Sequence, residues 1–484
     1  MRCMDEPLAR YVDFAGAARA LRANAEATGA TEFVCVRNLG YVFAPTEVYP
    51  LAPRVQPPLE HVVAFLVDMD GTSTTTEPLA LHALEYTVRR MTGLLTPAQW
   101  SGLDPVRDHP HIVGNSNYRH VEFLVERYHD RLDADALRQA FFEALCWTLA
   151  VMDDPPRRRE IRRNAEHCGL ADLLADADFQ HLLQSGNVSD ENVATLVAPW
   201  VRRFGGAFRT AHIRQQVAAA LDVYYMRYHS ILRRIETGAG QRLARQLLGE
   251  EGRGLIEPMP GYEVFLPLVK GWLGREAAGL AELLEAQRQD ATPGPARRVS
   301  AEPHPADRRR RLADLAERFA RRPARLALVT ASIPYEARVS MKEVIAVTAR
   351  RVADWPLAPE HRDRIGAHLA DYRSVFDALV SAGDACEHRL KPHRDLYSLA
   401  LEQMSIPRRQ YASCVGLEDS EPGIIALRAA GIGCAIALPN HDTARQNYTA
   451  ATQIVRGGLP ELILDRNLLC AERDQARGNE RGSG

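Results

Sequence analysis

The sequence predicts an α/β protein in which a doubly wound, Rossmann-like parallel sheet carries a large inserted all-α block. Three observations support this fold class. Residues 61–67 form an apolar run with almost no polar alternation, which is typical of a strand buried on both faces of a parallel sheet. Residues from about 78 to 255 show helical periodicity almost throughout. Short apolar strands separated by helical segments return only after residue 325, as expected for βαβ units.

The composition is that of an ordinary globular protein. Hydrophobic residues make up 46% and charged residues 25% of the 484 positions, and the formal net charge of -2 gives no general attraction to nucleic acid or anionic membrane. The eight cysteines include no Cys-x-x-Cys pair and are expected to be reduced, which favours the cytoplasm. No apolar stretch predicts a membrane span, and Asp5 and Glu6 stand where a signal peptide would be basic.

The first 58 residues are predicted to form an N-terminal arm appended to the sheet domain. The alanine-rich stretch Ala15–Ala27 favours a helix, and the arm ends at Pro57-Pro58. At the level of the sequence the role of this arm stays open.

The first core strand ends abruptly in two carboxylates, Asp68 and Asp70, which are followed by Gly71 and a cluster of threonines. Ligands of open α/β sheets bind at the carboxyl edge of the strands. We therefore expect both acids to lie in a functional site.

Residues 81–255 are predicted to form a single helical block. Asp133 has the character of an N-cap, and the apolar spacing that follows it predicts a helix that ends at Pro155-Pro156. A second periodic stretch, from Ile213 to Ile235, carries a stripe of tyrosine and isoleucine residues. Such a stripe could line a ligand cavity, but at helical spacing we interpret it as hydrophobic core.

The remaining core strands are predicted late in the chain, at residues 326–329, 376–380, 412–417 and 434–438. The α/β core is accordingly assigned to residues 59–80, 256–272 and 323–470. Residues 273–322 form a second, Pro- and Arg-rich insertion, in which we interpret Arg308–Arg311 as the exposed start of a helix and not as a nucleic-acid patch. Residues 471–484 are predicted to be a disordered tail.

Lysine is rare in a chain crowded with arginine. Lys270, Lys342 and Lys391 are its only lysines. A lysine retained in such a chain indicates a position that needs a compact point charge on a slim stem.

Four motifs in order resemble those of the haloacid dehalogenase superfamily of phosphatases and phosphomutases. Asp68-Met-Asp-Gly-Thr72 resembles the first motif, and Thr330, directly after a strand, resembles the second. Lys391-Pro392 resembles the third motif. Glu418-Asp419, followed by Pro422-Gly423, resembles the fourth motif of the branch that contains phosphoglycolate phosphatases and β-phosphoglucomutases.

The resemblance implies a role for each matched residue. Asp68 would be the nucleophile and Asp70 the general acid and base. The Thr330 hydroxyl, the backbone N–H of Ala331 and Lys391 would bind the phosphoryl group, with Ser332 left open as an alternative to Thr330. Magnesium would be held by oxygens of the first and fourth motifs: Asp68, Asp70 through its backbone carbonyl, Glu418 and Asp419. The chemistry is consistent, since a phosphomonoester dianion repels a carboxylate unless cations gather its oxygens.

The same resemblance implies that residues 81–255 are a cap over the site. Gly114–Arg119 resembles the cap loop that reaches the leaving group, so Asn117 and Arg119 are candidates for substrate contact, with a plain surface loop left open. The nearby histidines fit no metal site and are interpreted as solvated: His109, His111 and His120.

The sequence therefore favours a Mg²⁺-dependent phosphatase that hydrolyses a small phosphorylated metabolite through an aspartyl-phosphate. A sugar-phosphate mutase like β-phosphoglucomutase is the second hypothesis, which is disfavoured because the family's cap-facing histidine would fall at Ala80. A non-catalytic binding or regulatory protein is the third, although it would be expected to lack a motif residue. No nucleic-acid or membrane partner is expected, and the oligomeric state stays open.

Overall fold

The structure is a computed structural model that describes residues 11–38, 42–112, 116–249, 253–288, 304–386 and 389–469. Several predictions fall outside these ranges. They are the prediction of a disordered tail at 471–484, the part of the proposed cap loop at Gly114 and Asn115, and the proline-rich part of the second insertion at 289–303.

The N-terminal arm contains a helix and a two-stranded antiparallel hairpin. These elements are α1 (Phe14–Thr28), β1 (Glu32–Arg37) and β2 (Thr46–Leu51). The predicted helix is confirmed, whereas the hairpin was not predicted. Its strands pair over their full lengths, from Glu32 opposite Leu51 to Arg37 opposite Thr46.

A six-stranded parallel sheet forms the core, in the order β5-β4-β3-β6-β7-β8. The strands are β3 (Ala64–Asp68), β4 (Arg325–Val329), β5 (Ala378–Val380), β6 (Cys414–Glu418), β7 (Cys434–Ala437) and β8 (Gln453–Ile454). This confirms the predicted parallel sheet, to which the structure adds the short strand β8. Every residue of β3 is buried, because β3 lies between two strands and both faces of the sheet are covered.

Between β3 and β4 the chain forms a long run of helices, which we call the helical block. It comprises α2 (Glu77–Thr92), α3 (His109–Ile112), α4 (Asn117–Arg127), α5 (Ala134–Val151), α6 (Pro155–His167), α7 (Ala171–Ala175), α8 (Ala177–Gln184), α9 (Val193–Phe204), α10 (Ile213–Glu236) and α11 (Gly240–Leu248). Asp133 caps α5 as predicted, since its carboxylate accepts hydrogen bonds from the backbone of Asp135 and Ala136. The helix α5 ends at Val151, and Pro155 is the first residue of α6. Proline is tolerated at this position because the first backbone N–H groups of a helix have no partner within the helix.

The other helices surround the sheet. They are α12 (Tyr262–Val269), α13 (Ala281–Ala286), α14 (Pro305–Arg321), α15 (Pro334–Val352), α16 (Pro359–His368), α17 (Tyr372–Val375), α18 (Asp395–Gln403), α19 (Glu421–Ala429) and α20 (Gly458–Pro460). The prediction of an exposed start for α14 is wrong at Arg308. Its side chain is 4% exposed and forms ion pairs with Asp465 and Glu285, whereas the side chains of Arg309 and Arg310 are 54% and 73% exposed.

The two faces of the sheet bury different partners. Phe65 and Val67 of β3 pack with the helical block, α12 and α14, whereas the alternate residues Ala64 and Leu66 pack with α18 and α19. This arrangement leaves the carboxyl edge of the strands facing the helical block. Among the described helices, none combines the length and the apolar character that crossing a membrane requires.

Candidate active site

Three carboxylates converge at the carboxyl edge of the sheet. Asp68 is the last residue of β3, and Glu418 ends the neighbouring strand β6, directly before Asp419. All three side chains are buried, and one oxygen from each lies within 4.8 Å of the others. Because β3 and β6 run parallel, both strands deliver their terminal acids to one place, as predicted.

Lys391 is the cation of this cluster. Its Nζ contacts the carboxylate of Asp68 and lies 2.7 Å from that of Glu418. Burial lowers the pKa of Lys391, but the carboxylates of Asp68 and Glu418 raise it by more, so that the net pKa is raised and the amine stays protonated. Lys391 is buried, and a buried position of this kind suits the compact charge and slim stem of a lysine. That the position requires a lysine stays a prediction.

The cluster has more negative charge than Lys391 neutralises. Burial, followed by repulsion from Glu418, raises the pKa of Asp68, and the same two causes raise the pKa of Asp419. A further cation would remove this penalty, because buried carboxylates are tolerated when they are paired or coordinate a metal. Oxygen donors of this kind suit Mg²⁺.

The three acids are not equivalent as possible ligands. Both oxygens of Glu418 already accept hydrogen bonds, one from Tyr397 at 3.0 Å and the other from Ser420 at 2.8 Å. Glu418 also accepts a hydrogen bond from the backbone N–H of Ser420 and pairs with Lys391, so four donors face its two oxygens. Asp419 accepts one hydrogen bond at each oxygen, from Thr72 at 3.3 Å and from Asn440 at 2.8 Å, and therefore keeps more free lone pairs for a metal. Asp68 contacts Lys391 through one oxygen only. The side chain of Asp70 lies outside this cluster, so that its predicted contribution through the backbone carbonyl stays a prediction.

Gly71 allows the loop after β3 to approach Asp419. Its φ is +82°, and a Cβ at this position would collide with the Asp419 carboxylate and the Asn440 amide. Asn440 donates to Asp419 at 2.8 Å and to the carbonyl of Gly71 at 3.2 Å. The glycine in the first motif is thus required by close packing against the fourth motif.

The Asp70 carboxylate is held by three hydroxyl groups. It accepts hydrogen bonds from Thr330 and Ser332, each at 2.9 Å, and from Thr76 at 2.5 Å. These contacts hold the Asp70 side chain outside the cluster of Asp68, Glu418 and Asp419, although Asp70 is only two residues from Asp68. A carboxylate that is positioned beside the reacting centre and off the metal is suited to proton transfer.

Thr330 is brought to the site, but its hydroxyl is already used. It donates to Asp70 and accepts a hydrogen bond from the backbone N–H of Ser332 at 2.9 Å. Ala331 and Ser332 line the cavity at Asp68, and Thr330 is not among the described residues that do so. Ser332 donates to Asp70 as well, so the two residues differ in that Ser332 lines the cavity. Which of the two hydroxyls would hold a phosphoryl group stays a prediction.

The cavity at Asp68 has a volume of about 50 Å³, and side chains of the helical block line one side of it. Tyr224 and Tyr228 of α10 form part of its wall, and both are buried. Both also belong to the buried hydrophobic core, as the interpretation of the α10 stripe expected, and in addition they border this cavity. Helical spacing shows that a face is buried, but it does not show whether core or a cavity lies opposite.

His120 also lines this cavity and is 6% exposed. The prediction of a solvated histidine is wrong at this position, because α4 turns His120 toward the sheet. Glu77 and Ala80 of α2 complete the wall from the same side. Burial, then the nearby Asp70, raises the pKa of Glu77. No motif singled out Glu77, although it follows the threonine cluster directly.

The two predicted residues of the cap loop have different positions. Asn117 lines the cavity and accepts a hydrogen bond from the Tyr224 hydroxyl at 3.2 Å. Arg119 donates to Glu122 at 3.1 Å and to the backbone carbonyl of Arg37 at 3.3 Å. The structure thus places Asn117 in the site and directs Arg119 toward the N-terminal hairpin.

Behind Asn117 lies a buried pair that joins the helical block to the core. His229 of α10 and Glu336 of α15 are 3.0 Å apart, and each side chain is 1% exposed. Burial, then Asp70, raises the pKa of Glu336 to about 8, whereas burial, then Arg157, lowers the pKa of His229 to about 3. At neutral pH the two groups are therefore an uncharged hydrogen-bonded pair.

A second cavity, of about 740 Å³, adjoins the first and shares Asn117 and Ala331 with it. Its wall is formed by both the helical block and the core, and it includes aromatic, proline and charged side chains. Examples are Tyr225, Tyr335 and Arg338. This larger space therefore begins next to the cavity that Asp68, Asp70 and Asp419 line.

Comparisons with known proteins give only distant similarities. No protein-family model matches the chain, and no curated protein sequence matches it. A solved structure of CbbY from Rhodobacter sphaeroides in complex with phosphate is 14% identical over 83% of this chain and 96% of that chain, with a TM-score of 0.38. A putative β-phosphoglucomutase from Thermotoga maritima has 14% identity, the same two coverages and a TM-score of 0.30.

A hydrolase from Pseudomonas syringae is similar at 11% identity, over 83% of this chain and 96% of that one, with a TM-score of 0.34. Identities and scores at this level do not define the family or the activity of the chain.

Proposed function

We propose that this protein is a Mg²⁺-dependent phosphatase of the haloacid dehalogenase type that hydrolyses a small phosphorylated metabolite. The observation that carries the proposal is the buried cluster of Asp68, Glu418, Asp419 and Lys391, with Asp70 held beside it. This arrangement supplies a nucleophile, a cation and a metal-binding set in one enclosed place.

The phosphoryl group would bind between the two sides of the cavity. Lys391 would neutralise part of its charge, and the Ala331 N–H and the Ser332 hydroxyl, together with Thr330, would hold its oxygens. Magnesium on Asp68 and Asp419 would supply Lewis-acid stabilisation of the developing negative charge. These groups together allow an anionic nucleophile to approach an anionic substrate.

In the first step, an oxygen of Asp68 attacks phosphorus. The new bond to phosphorus forms as the ester bond breaks, and Asp70 gives its proton to the leaving oxygen, which departs as an alcohol. In the second step, Asp70 takes a proton from a water that attacks phosphorus. The bond to Asp68 then breaks, inorganic phosphate leaves, and both carboxyl groups return to their starting states.

The helical block is proposed to act as a cap. Tyr224 and Tyr228 border the cavity of about 50 Å³ at Asp68, where a cap would limit the access of bulk water to the reacting atoms. The adjoining cavity of about 740 Å³ offers room for the organic part of the substrate. Chemistry and substrate choice are thereby divided between the core and the cap.

A sugar-phosphate mutase stays the second candidate because of His120. Ala80 supplies no acid or base to the cavity, but the imidazole of His120 lies in the same wall. A mutase needs such a group to move a proton at the sugar hydroxyl. Hydrolysis is favoured because no motif of this chain predicts that His120 has that role.

The test is a phosphate-release screen over sugar phosphates, nucleotides and phosphoglycolate with Mg²⁺, in which the Asp68→Asn variant is the control. We expect wild-type turnover of at least one substrate and none with Asp68→Asn. Equal activity of both proteins would contradict the proposal. Formation of an isomeric product that requires a bisphosphate activator would support the mutase, and a flat screen would support a non-catalytic protein.

A further inference from the structure

The N-terminal hairpin β1–β2 is fixed to the core at its outer end. Glu32 forms ion pairs of 2.7 Å with Arg54 and with Arg428 of α19. The backbone N–H of Ala52 donates to the carbonyl of Arg428 at 2.9 Å. The hairpin is therefore held to the sheet domain independently of its contacts with the active site.

Its second strand touches the loop that carries Lys391. The Tyr49 hydroxyl lies 3.0 Å from Nδ1 of His393, and the two rings meet edge to face with centroids 5.8 Å apart. Glu47 accepts hydrogen bonds from Arg389 at 2.7 and 2.9 Å. The hairpin thus contacts the loop two residues before and two residues after the lysine.

The loop is also closed on itself across Lys391. Arg389 donates to Asp395, the first residue of α18, at 3.0 and 3.2 Å. Tyr49 is 9% exposed, and its hydroxyl also contacts Glu47, so that the two hairpin side chains support each other. Arg389 is consequently held between α18 and the hairpin, and His393 is held against the hairpin.

We infer that the hairpin is a positioning element of the active site, in which Glu47 and Tyr49 hold loop 389–395 so that Lys391 stays between Asp68 and Glu418. A lysine reaches its partner on a flexible four-carbon stem. Its Nζ is fixed only as well as the backbone that carries it. Displacement of a positioning group by about 1 Å can cost on the order of 10²-fold in rate.

A purely structural hairpin would behave differently. Its apolar residues Val36 and Leu51 pack against Ala429, and that contact alone would stabilise the fold without any effect on Lys391. The significance of the inference for catalysis rests on the proposed function. The position of Lys391 does not, and it can be measured whether or not the protein turns over a substrate.

The experiment uses the full-length chain and the fact that it has only three lysines. Lysine labelled with ¹³C at Cε and ¹⁵N at Nζ gives three side-chain signals, and Lys270→Arg and Lys342→Arg variants identify the signal of Lys391. The test protein is Glu47→Gln/Tyr49→Phe, which removes both contacts with the loop and keeps the side-chain volumes. The matched control is Glu32→Gln, which weakens the same hairpin at its remote end.

In the wild type, we expect exchange of the Lys391 ammonium protons with water to be the slowest of the three lysines. In Glu47→Gln/Tyr49→Phe this exchange should accelerate at least tenfold, whereas Glu32→Gln should leave it within twofold. Equal exchange in all three proteins would overturn the inference, as would an equal acceleration in the control. Thermal unfolding of each variant shows that the comparison is made on folded protein.

Activity provides the second readout. If the protein is a phosphatase, Glu47→Gln/Tyr49→Phe should raise KM for the substrate found in the screen about tenfold, with Glu32→Gln unchanged. Faster exchange at Lys391 in a protein that hydrolyses nothing would support the positioning role and contradict the proposed function. Unchanged exchange at Lys391 in Glu47→Gln/Tyr49→Phe, in a protein that is an active phosphatase, would contradict the positioning role and support the proposed function.

Discussion

The two sides of the reactive cavity differ in their chemistry. The core side is charged, with Asp68, Asp419 and Lys391 placed directly at strand ends or in a short loop. The side formed by the helical block presents mainly Asn117, Tyr224 and neighbouring neutral groups. Burial, then Glu336, raises the pKa of Tyr224, so that its phenol stays protonated.

This difference indicates that the core side carries out the reaction and that the helical block shapes the cavity. Each charged group on the core side has a specific partner, so its replacement should remove the reaction. The aromatic wall excludes water and shapes the space, so its replacement should only change the rate or the substrate preference. Substitutions on the core side should therefore lower kcat/KM much more than substitutions on the side of the helical block.

The largest effect is expected for Lys391→Met. Loss of the fixed charge should reduce kcat/KM by about 10³-fold or more at saturating Mg²⁺, because the carboxylates and the phosphoryl oxygens then lack their cation. Steady-state kinetics measures this change. The control is Lys270→Met, which removes a lysine paired with Asp377 outside the site and should stay within twofold of the wild type. A loss of less than tenfold in Lys391→Met would contradict the account.

Asp419→Asn should weaken Mg²⁺ binding by about 10²-fold, since a ligand with free lone pairs and a full charge is lost. Titration calorimetry with Mg²⁺ alone measures the affinity without any substrate. Glu421→Gln, two residues further along the chain, is the matched control and should bind Mg²⁺ like the wild type. Equal affinities of Asp419→Asn and the control would exclude Asp419 as a ligand.

The pair Glu336–His229 predicts a pH dependence of stability. Folded Glu336 keeps its proton up to a pKa of about 8, whereas unfolded glutamate releases it near 4.5, so Glu336 lowers stability as pH rises between these values. His229, with a folded pKa of about 3 and an unfolded pKa near 6.5, raises stability over pH 3 to 6.5. The two slopes oppose each other below pH 6.5, and the decline due to Glu336 remains between pH 6.5 and 8.

Glu336→Gln should abolish this decline, which amounts to about 2 kcal/mol in the free energy of unfolding. Urea unfolding at pH 6.5 and pH 8, without added metal, measures it. Glu343→Gln, a more exposed acid on the same helix, should keep the wild-type slope. The same slope in Glu336→Gln as in the wild type would show that Glu336 is ionised in the folded protein.

The smallest effect is expected for Tyr224→Phe on the side of the helical block. It removes one hydroxyl that donates to Asn117, a bond with a net value of about 1 kcal/mol, so kcat/KM should fall about fivefold. Kinetics on the preferred substrate and on one of different size measures rate and preference together. Tyr128→Phe, whose hydroxyl bonds Asp108 instead, should have no effect on either. A loss of kcat/KM in Tyr224→Phe as large as that in Lys391→Met would contradict the proposed difference between the two sides of the cavity.

The charged half of the site could be predicted from the sequence because its signals are local. Asp68 ends the buried strand β3, Asp419 directly follows the buried strand β6, and parallel strands bring their carboxyl ends together. Lys391 was conspicuous in a chain with only three lysines. The sequence could not decide between Thr330 and Ser332, because both hydroxyls donate to Asp70 and only the packing around the cavity distinguishes them.

The other half depends on contacts between distant segments. The buried faces of α4 and α10 were visible in the spacing of apolar residues, but the position of His120 and Tyr228 opposite a cavity follows from how the helical block meets the core. The contact between Tyr49 and His393 joins residues 344 positions apart. Neither the periodicity of the sequence nor a motif predicts a contact between such distant residues.

The central claim is that Asp68 carries the phosphoryl group during turnover. The most direct measurement is an acid quench during turnover of the substrate found in the screen, followed by borohydride reduction, which converts an aspartyl-phosphate to homoserine, and by peptide mass spectrometry. The account predicts homoserine at position 68 with Mg²⁺ and none in Asp68→Asn. Homoserine at position 70, or phosphate release at the wild-type rate by Asp68→Asn, would contradict it.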